Sequence, residues 1–105
     1  MANPPQLTAE QRQAALEKAA IARRARAEIK DRLKMGSLSL PELFALAEGD
    51  EIIGKIKVLA LLESLPGVGK VKARRVMVDV GIAETRRVQG LGTQQRARLL
   101  EEFGS

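Results

Sequence analysis

Apolar residues along this chain recur three and four apart, the spacing of a helix face, and no stretch alternates convincingly as a strand would. Pro4-Pro5 ends a short tail. Thr8, with Gln11 three residues on, forms a capping-box pattern. The stretch that follows, to Lys34, is dominated by Ala, Arg, Glu, Lys and Gln, all good helix formers. It predicts one helix of roughly 25 residues that Gly36 ends. Its large apolar residues are Leu16, Ile21, Ile29 and Leu33, of which only Ile29 and Leu33 stand four apart on one face. The N-terminal half offers mostly Ala, so it can bury little and is expected to project.

Ser39-Leu40-Pro41-Glu42 repeats the capping signature with Pro in the first turn. It opens a short helix through Leu43, Phe44, Leu46 and Ala47, stopped by Gly49-Asp50. Ile52-Ile53-Gly54 reads as a turn or short connector. Val58, Leu59, Leu61, Leu62 and Leu65 are too dense for a surface helix and predict core, with Pro66 as the stop. Ala73, Val76, Met77 and Val80 then give the i, i+3, i+4, i+7 face of a packed helix. Gly81-Ile82 suits a Schellman C-cap with Ile82 packing near Met77. Thr93 is the expected cap of a last helix whose Leu99, Leu100 and Phe103 face inward and which Gly104 ends. The prediction is an all-α chain of about five helices. A tail and projecting basic helix (1–36) precede a helical core (37–105) of roughly 70 residues, enough for one modest core.

The turn between the two core helices carries the candidate chemistry. Leu65-Pro66-Gly67-Val68-Gly69-Lys70-Val71-Lys72-Ala73 reads as an apolar helix end, a Pro-Gly-Val-Gly turn and a basic second helix. Gly67 permits backbone angles closed to other residues, and Gly69 is expected to let another backbone approach closely. The new helix starts with unpaired N–H groups and the positive end of its dipole, and Lys70 and Lys72 add full charges. That combination grips a phosphate rather than reading a base. The same residues also fit a plain helical corner, because Gly-x-Gly alone is a weak signal. A nucleotide-hydrolase phosphate loop is excluded, since four residues must separate its first Gly from Gly-Lys and Ser or Thr must follow.

Composition narrows the partner. Lys and Arg number 18 against 13 Asp and Glu, a formal charge of +5 with a pI near 10.1, within 105 residues. That balance favours a polyanion. Residues 1–35 hold eight basic and four acidic groups, residues 36–64 two and five, and residues 65–105 eight and four. Two basic blocks flank an acidic middle, as expected if opposite ends of the molecule touch the ligand. On the first helix Arg12, Arg23, Arg26, Lys30 and Lys34 share one face. This stripe is either a second phosphate-facing surface or a solvated face balanced by Glu17, Glu28 and Asp31.

The chain has no cysteine and no histidine, which removes disulfides, thiol nucleophiles and the commonest base and zinc ligands. Neither a metal site nor a cofactor is expected, nor an enzyme. Asp50 with Glu51, the nearest carboxylate pair, reads as a solvated turn. No membrane span or signal peptide is evident, so a soluble, cytoplasmic protein is expected. Two Phe and no Trp or Tyr leave no aromatic platform for single strands, which favours duplex.

The chain resembles the actinobacterial integration host factor family along essentially its whole length. The resemblance is carried by Pro5-Gln6-Leu7-Thr8, Ala14–Ala20, Arg23–Glu28, Gly54-Lys55-Ile56-Lys57-Val58, Leu61–Val71, Thr85-Arg86-Arg87, Gly90-Leu91-Gly92 and Glu102-Phe103-Gly104. It implies a long N-terminal helix on a helix-two-turn-helix, or helix-hairpin-helix-like, core similar to those of a small-subunit ribosomal protein and some DNA glycosylases. It further implies a nucleoid-associated protein that binds duplex DNA with little sequence preference. Such a protein bends or compacts the duplex and assists phage site-specific integration, with a phage integrase or recombinase as candidate partner and a monomer in solution. Carried over by position, Gly67, Val68, Gly69 and Lys70 would form the phosphate-gripping loop, and Arg86 and Arg87 match an arginine pair implicated in DNA contact; Pro66, which opens the turn, and Lys72 join them as expected contact residues. Gln89 departs from the Arg frequent in relatives and adds no charge. The alternative is a binder of structured RNA, since the core also resembles a ribosomal one.

Overall fold

Side-chain caps set the first helices. The computed structural model describes residues 8–103, so the Pro4-Pro5 tail and the Gly104 stop lie outside the described residues. Thr8 Oγ1 accepts the Gln11 N–H at 3.1 Å and Gln11 Oε1 accepts the Thr8 N–H at 2.9 Å, which opens α1 (Ala9–Lys34). Ser39 and Glu42 exchange the same pair of bonds at 3.3 and 3.2 Å and open α2 (Leu40–Gly49). Each box satisfies two N–H groups that a helix start leaves orphaned.

The predicted connector at Ile52 is instead a one-turn helix, α3 (Glu51–Gly54). Asp50 is the cause: its carboxylate accepts the N–H groups of Ile52 and Ile53 at 2.9 and 3.4 Å. α4 (Val58–Ser64), α5 (Gly69–Val80) and α6 (Thr93–Phe103) follow, with a 3-10 turn at Val88–Gly90 between the last two. The described residues thus hold six α-helices where about five were expected. Gly81, at φ +83°, closes α5 as a Schellman motif. Its own N–H donates to the Val78 carbonyl at 3.1 Å, and the Ile82 N–H reaches the Met77 carbonyl at 2.8 Å. At α6 the expected cap shifts by one residue. Gly92 accepts the Arg96 N–H at 3.0 Å and donates to Gln95 Oε1 at 3.0 Å, so Thr93 is the first helical residue.

α4 and α5 pack as a hairpin; α1 lies against α4 and α3, α2 against α3 and α6, and α6 against α5. Leu33, Leu43, Leu61, Leu62, Met77 and Leu99 are fully buried at its centre. Each such side chain contributes about 1.5–3 kcal/mol through removal from water. α1 enters this core only through Ile29 and Leu33. Farther out, Leu16 and Ile21 are 61% and 59% exposed, and the molecule is drawn out to 53 × 32 × 25 Å. The outer half of α1 projects because it has nothing large to bury.

One short pairing ties the segment before α4 to the segment after α5. The Val58 N–H donates to the Arg86 carbonyl at 2.9 Å and the Val88 N–H to the Ile56 carbonyl at 3.0 Å, around a single antiparallel bridge between Lys57 and Arg87. No described helix is long and apolar enough to cross a membrane.

Candidate nucleic-acid interface

Two turns join α4 to α5. The Leu65 N–H donates to Leu62 and the Val68 N–H to Leu65, both at 3.2 Å. Pro66 at the second position and Gly67 at the third, with φ +74°, make Leu65–Val68 a type II turn. Gly69 follows at φ +71°. A Cβ on either glycine would meet nothing within 4 Å. The expectation for Gly69 is therefore corrected: within this chain it serves the left-handed backbone and does not admit a close neighbour. Val68 precedes α5 with no side-chain cap bond, so the first-turn N–H groups keep no side-chain partner.

Lys30 and Lys34 of α1 line a cleft of about 610 Å³ together with Pro66, Gly67, Gly69 and Lys70. This overturns the expectation that the two basic blocks sit at opposite ends. Because Ile29 and Leu33 bury α1 against the hairpin, the lysines one residue further on are delivered beside the turn. Three lysines thus surround the open start of α5, with one carboxylate, Glu63, on the same wall. Ser64 Oγ is committed to the Ala60 carbonyl at 2.9 Å.

The other expected residues divide. Arg26 and Arg87 line a second cleft beside the first, with Lys30 common to both. Arg86 points elsewhere: Nη1 donates to the Gly90 carbonyl at 3.3 Å, across the space that Gly90 leaves open, where a Cβ would come within 3.1 Å of Arg86 Cδ. Adjacent residues on extended backbone face opposite ways, and Arg87 is extended at φ −98°, ψ 158°. Lys72 leaves the turn cleft altogether. It lines a cleft with Arg75, Asp79 and Glu102, its Nζ 6.0 Å from the Phe103 ring centre, because two residues along a helix turn a side chain about 200°. Val68 lines that cleft too. Arg12 and Arg23 are exposed on the projecting half of α1, beyond either cleft. Gln89 rests against Gly54, within 3.4 Å of where a Cβ there would stand.

Sequence reasoning passed over Lys55 and Lys57 as site residues. Both line the second cleft. Only their place just ahead of a core helix marked them, and the contact that brings them to Arg87 is long-range.

A buried helical hairpin joined by two tight turns defines a helix-two-turn-helix domain, and residues 33–103 match the S13-like H2TH domain family. The chain belongs to the actinobacterial integration host factor family. It is 64% identical over 101 residues to the integration host factor of Mycobacterium tuberculosis, covering 96% of each chain. It is 61% identical over 105 residues to that of Streptomyces coelicolor, covering 100% of this chain and 97% of the relative. Among solved structures, sIHF bound to an 8-bp palindromic DNA is similar, with a TM-score of 0.81 at 58% identity, covering 84% of this chain and 99% of that one.

Proposed function

We propose that this protein binds duplex DNA through its phosphate backbone, with little preference for sequence, and acts as an architectural component of the nucleoid. The observation that carries the reading is the turn cleft, where Lys30, Lys34 and Lys70 surround an uncapped helix start. Such a site supplies charge and N–H donors to an anion, and contacts to phosphate position without specifying. The DNA-bound relative supports the same reading. In its fuller form the protein bends or compacts the duplex as a monomer and assists a phage integrase or recombinase, in the cytoplasm and without catalysis of its own. Arg87 adds a phosphate contact in the adjoining cleft, Arg86 offers its guanidinium on the opposite side of the same stretch, and Arg12 and Arg23 prolong the basic face along the projecting helix.

A salt titration of duplex binding tests this. Five neutralised phosphates give a log–log slope of roughly −4.5, at about −0.9 each, and Lys70→Ala and Arg86→Ala/Arg87→Ala should each flatten it. A wild-type slope near zero overturns the reading. The S13-like family match keeps structured RNA as the second reading. Competition between duplex DNA and duplex RNA of equal length separates the two: preference for the RNA would replace the first reading with the second.

A further inference from the structure

The outer side of α5 is built unlike the two basic clefts. This helix buries Ala73, Val76 and Met77, yet Val71 and Val78 stand outside that face at 75% and 78% exposure. Seven residues apart, they lie within about 20° of each other around the helix, with Arg74 and Arg75 about 50° to either side. Valine gains nothing at a solvated helix position, where a straight-chain residue is the better helix former. Beside this stripe a cleft of about 440 Å³ runs between α5 and α6. Val68 and Val76 line it together with Val71, and Lys72, Arg75, Asp79 and Glu102 edge it.

The two cations and two carboxylates of this cleft cancel, on a chain of formal charge +5. Among the described residues none of the four has an ion pair within the chain, whereas Arg74 is held by Glu84 at 3.7 Å. A phosphate backbone laid here would meet Asp79 and Glu102. The face instead fits a protein surface with apolar residues at the same spacing and the charges in reverse order. Turned end for end, α5 is itself such a surface, because Lys72 stands toward its start and Asp79 toward its end.

We propose that the outer face of α5 pairs with the same face of a second copy of this chain, antiparallel about a two-fold axis. Such an axis between Arg74 and Arg75 sets Val71 on the partner's Val78, and the reverse, as a self-complementary contact must. It keeps the α6 side of one helix over the α6 side of the other. Lys72 then meets the partner's Asp79 with an offset of about 3 Å along the helices. The two Arg75 side chains lie near the axis, where each cleft offers Asp79 and Glu102. The stripe from Val71 to Val78 is only about 10 Å long, short of the roughly 800 Å² per partner of a stable interface. The free chain therefore stays monomeric, and pairing follows when neighbouring copies on DNA meet at an effective concentration on the order of millimolar. The two glycine turns would stand at opposite ends of the pair, about 20 Å apart along the helices, so that the pair bridges two duplex segments.

The bridging role rests on the DNA reading above; the pairing does not, and the experiment keeps them apart. The chain has no cysteine, so full-length Val71→Cys and Val78→Cys variants, one of them mass-tagged, can be mixed and oxidised. This is done with concentrated protein alone and with dilute protein on duplex DNA. The mixed disulfide should exceed either like-with-like product several-fold, and should exceed any product of the equally exposed Met35→Cys. Equal yields of the three products, or yields no higher than the Met35→Cys control, overturn the pairing. Lys72→Glu and Asp79→Lys should each weaken dimerisation on the order of tenfold, through two new like-charge contacts, as read by sedimentation of concentrated protein. The combined Lys72→Glu/Asp79→Lys variant should restore it, with melting temperatures confirming that all variants fold alike. A combined variant that stays as weak as the single ones also overturns the pairing. If the mixed disulfide is favoured in concentrated protein and duplex adds nothing even at low salt, the pairing stands and the DNA reading fails.

Discussion

The starts of α2 and α5 show how differently one chain treats equivalent positions. At α2 every available device closes the helix. Ser39 Oγ accepts the Glu42 N–H at 3.3 Å and donates to Glu42 Oε1 at 2.8 Å, Glu42 also takes the Ser39 N–H at 3.2 Å, and Pro41 occupies the first turn. At α5 none is used: Val68 offers no side-chain cap, no acid lies in the first turn, and two left-handed glycines precede or open the helix. Capping stabilises a helix by roughly 1 kcal/mol, so its omission beside three lysines marks a place where donors are kept available. The first start holds the fold, and the second leaves its donors without side-chain partners, as the proposed phosphate contact requires.

The sharpest way to break this contrast is to close the backbone freedom at α5. Gly67→Ala and Gly69→Ala meet no steric obstacle, so the cost is conformational, roughly 1–2 kcal/mol for a left-handed L-residue. Each should lower urea-unfolding stability by that amount and weaken duplex binding further than Lys70→Ala does. Unchanged affinity in either variant would show that the turn's conformation is irrelevant to the ligand. Ser39→Ala should do the opposite, costing about 1 kcal/mol of stability with duplex affinity and salt slope unchanged. A loss of affinity there would dissolve the distinction between the two starts. Glu63→Gln is a smaller change. It removes the one carboxylate of the turn cleft and should tighten binding a few-fold at low salt, with stability altered by less than about 0.5 kcal/mol. Weaker binding would mean that Glu63 orients a lysine instead of opposing the phosphate.

What the sequence reveals follows the range of the interactions involved. Thr8 with Gln11 and Ser39 with Glu42 are legible because their bonds span three residues, and Gly81-Ile82 because its bonds close within five. Ile29 and Leu33 correctly mark where α1 enters the core, since only there do two large apolar residues share a face. Asp50 as the cap of α3 was hidden by a helix too short to show periodicity. The convergence of Lys30 and Lys34 with Lys70, and of Lys55 and Lys57 with Arg87, was hidden for a different reason. Charge counted along the chain gives two basic blocks, and only the packing of α1 on α4 places them together. Lys72 was misplaced by proximity in sequence, because two residues on a helix are nearly opposite in space.

The smallest expected effect lies at the closed start and concerns acid. The Ser39 hydroxyl donating to Glu42, then the Ser39 N–H, with a lesser pull from Arg32, hold the Glu42 carboxyl below its ordinary value against a small opposing desolvation. A depressed folded value means that the ionised carboxylate is favoured in the folded protein. Its contribution is therefore complete above the ordinary glutamate range and disappears as pH falls from there through the lowered folded value. Glu42→Gln has no charge to lose. The stability difference between wild type and Glu42→Gln should then be greatest near pH 7 and should narrow on acidification to about pH 3, as read by thermal unfolding at each pH. The group is fully exposed, so the narrowing is modest. It should be absent from duplex binding at neutral pH, because Glu42 lines neither basic cleft. A difference that stays constant with pH would show that Glu42 supports α2 through hydrogen bonds that a neutral amide makes equally well.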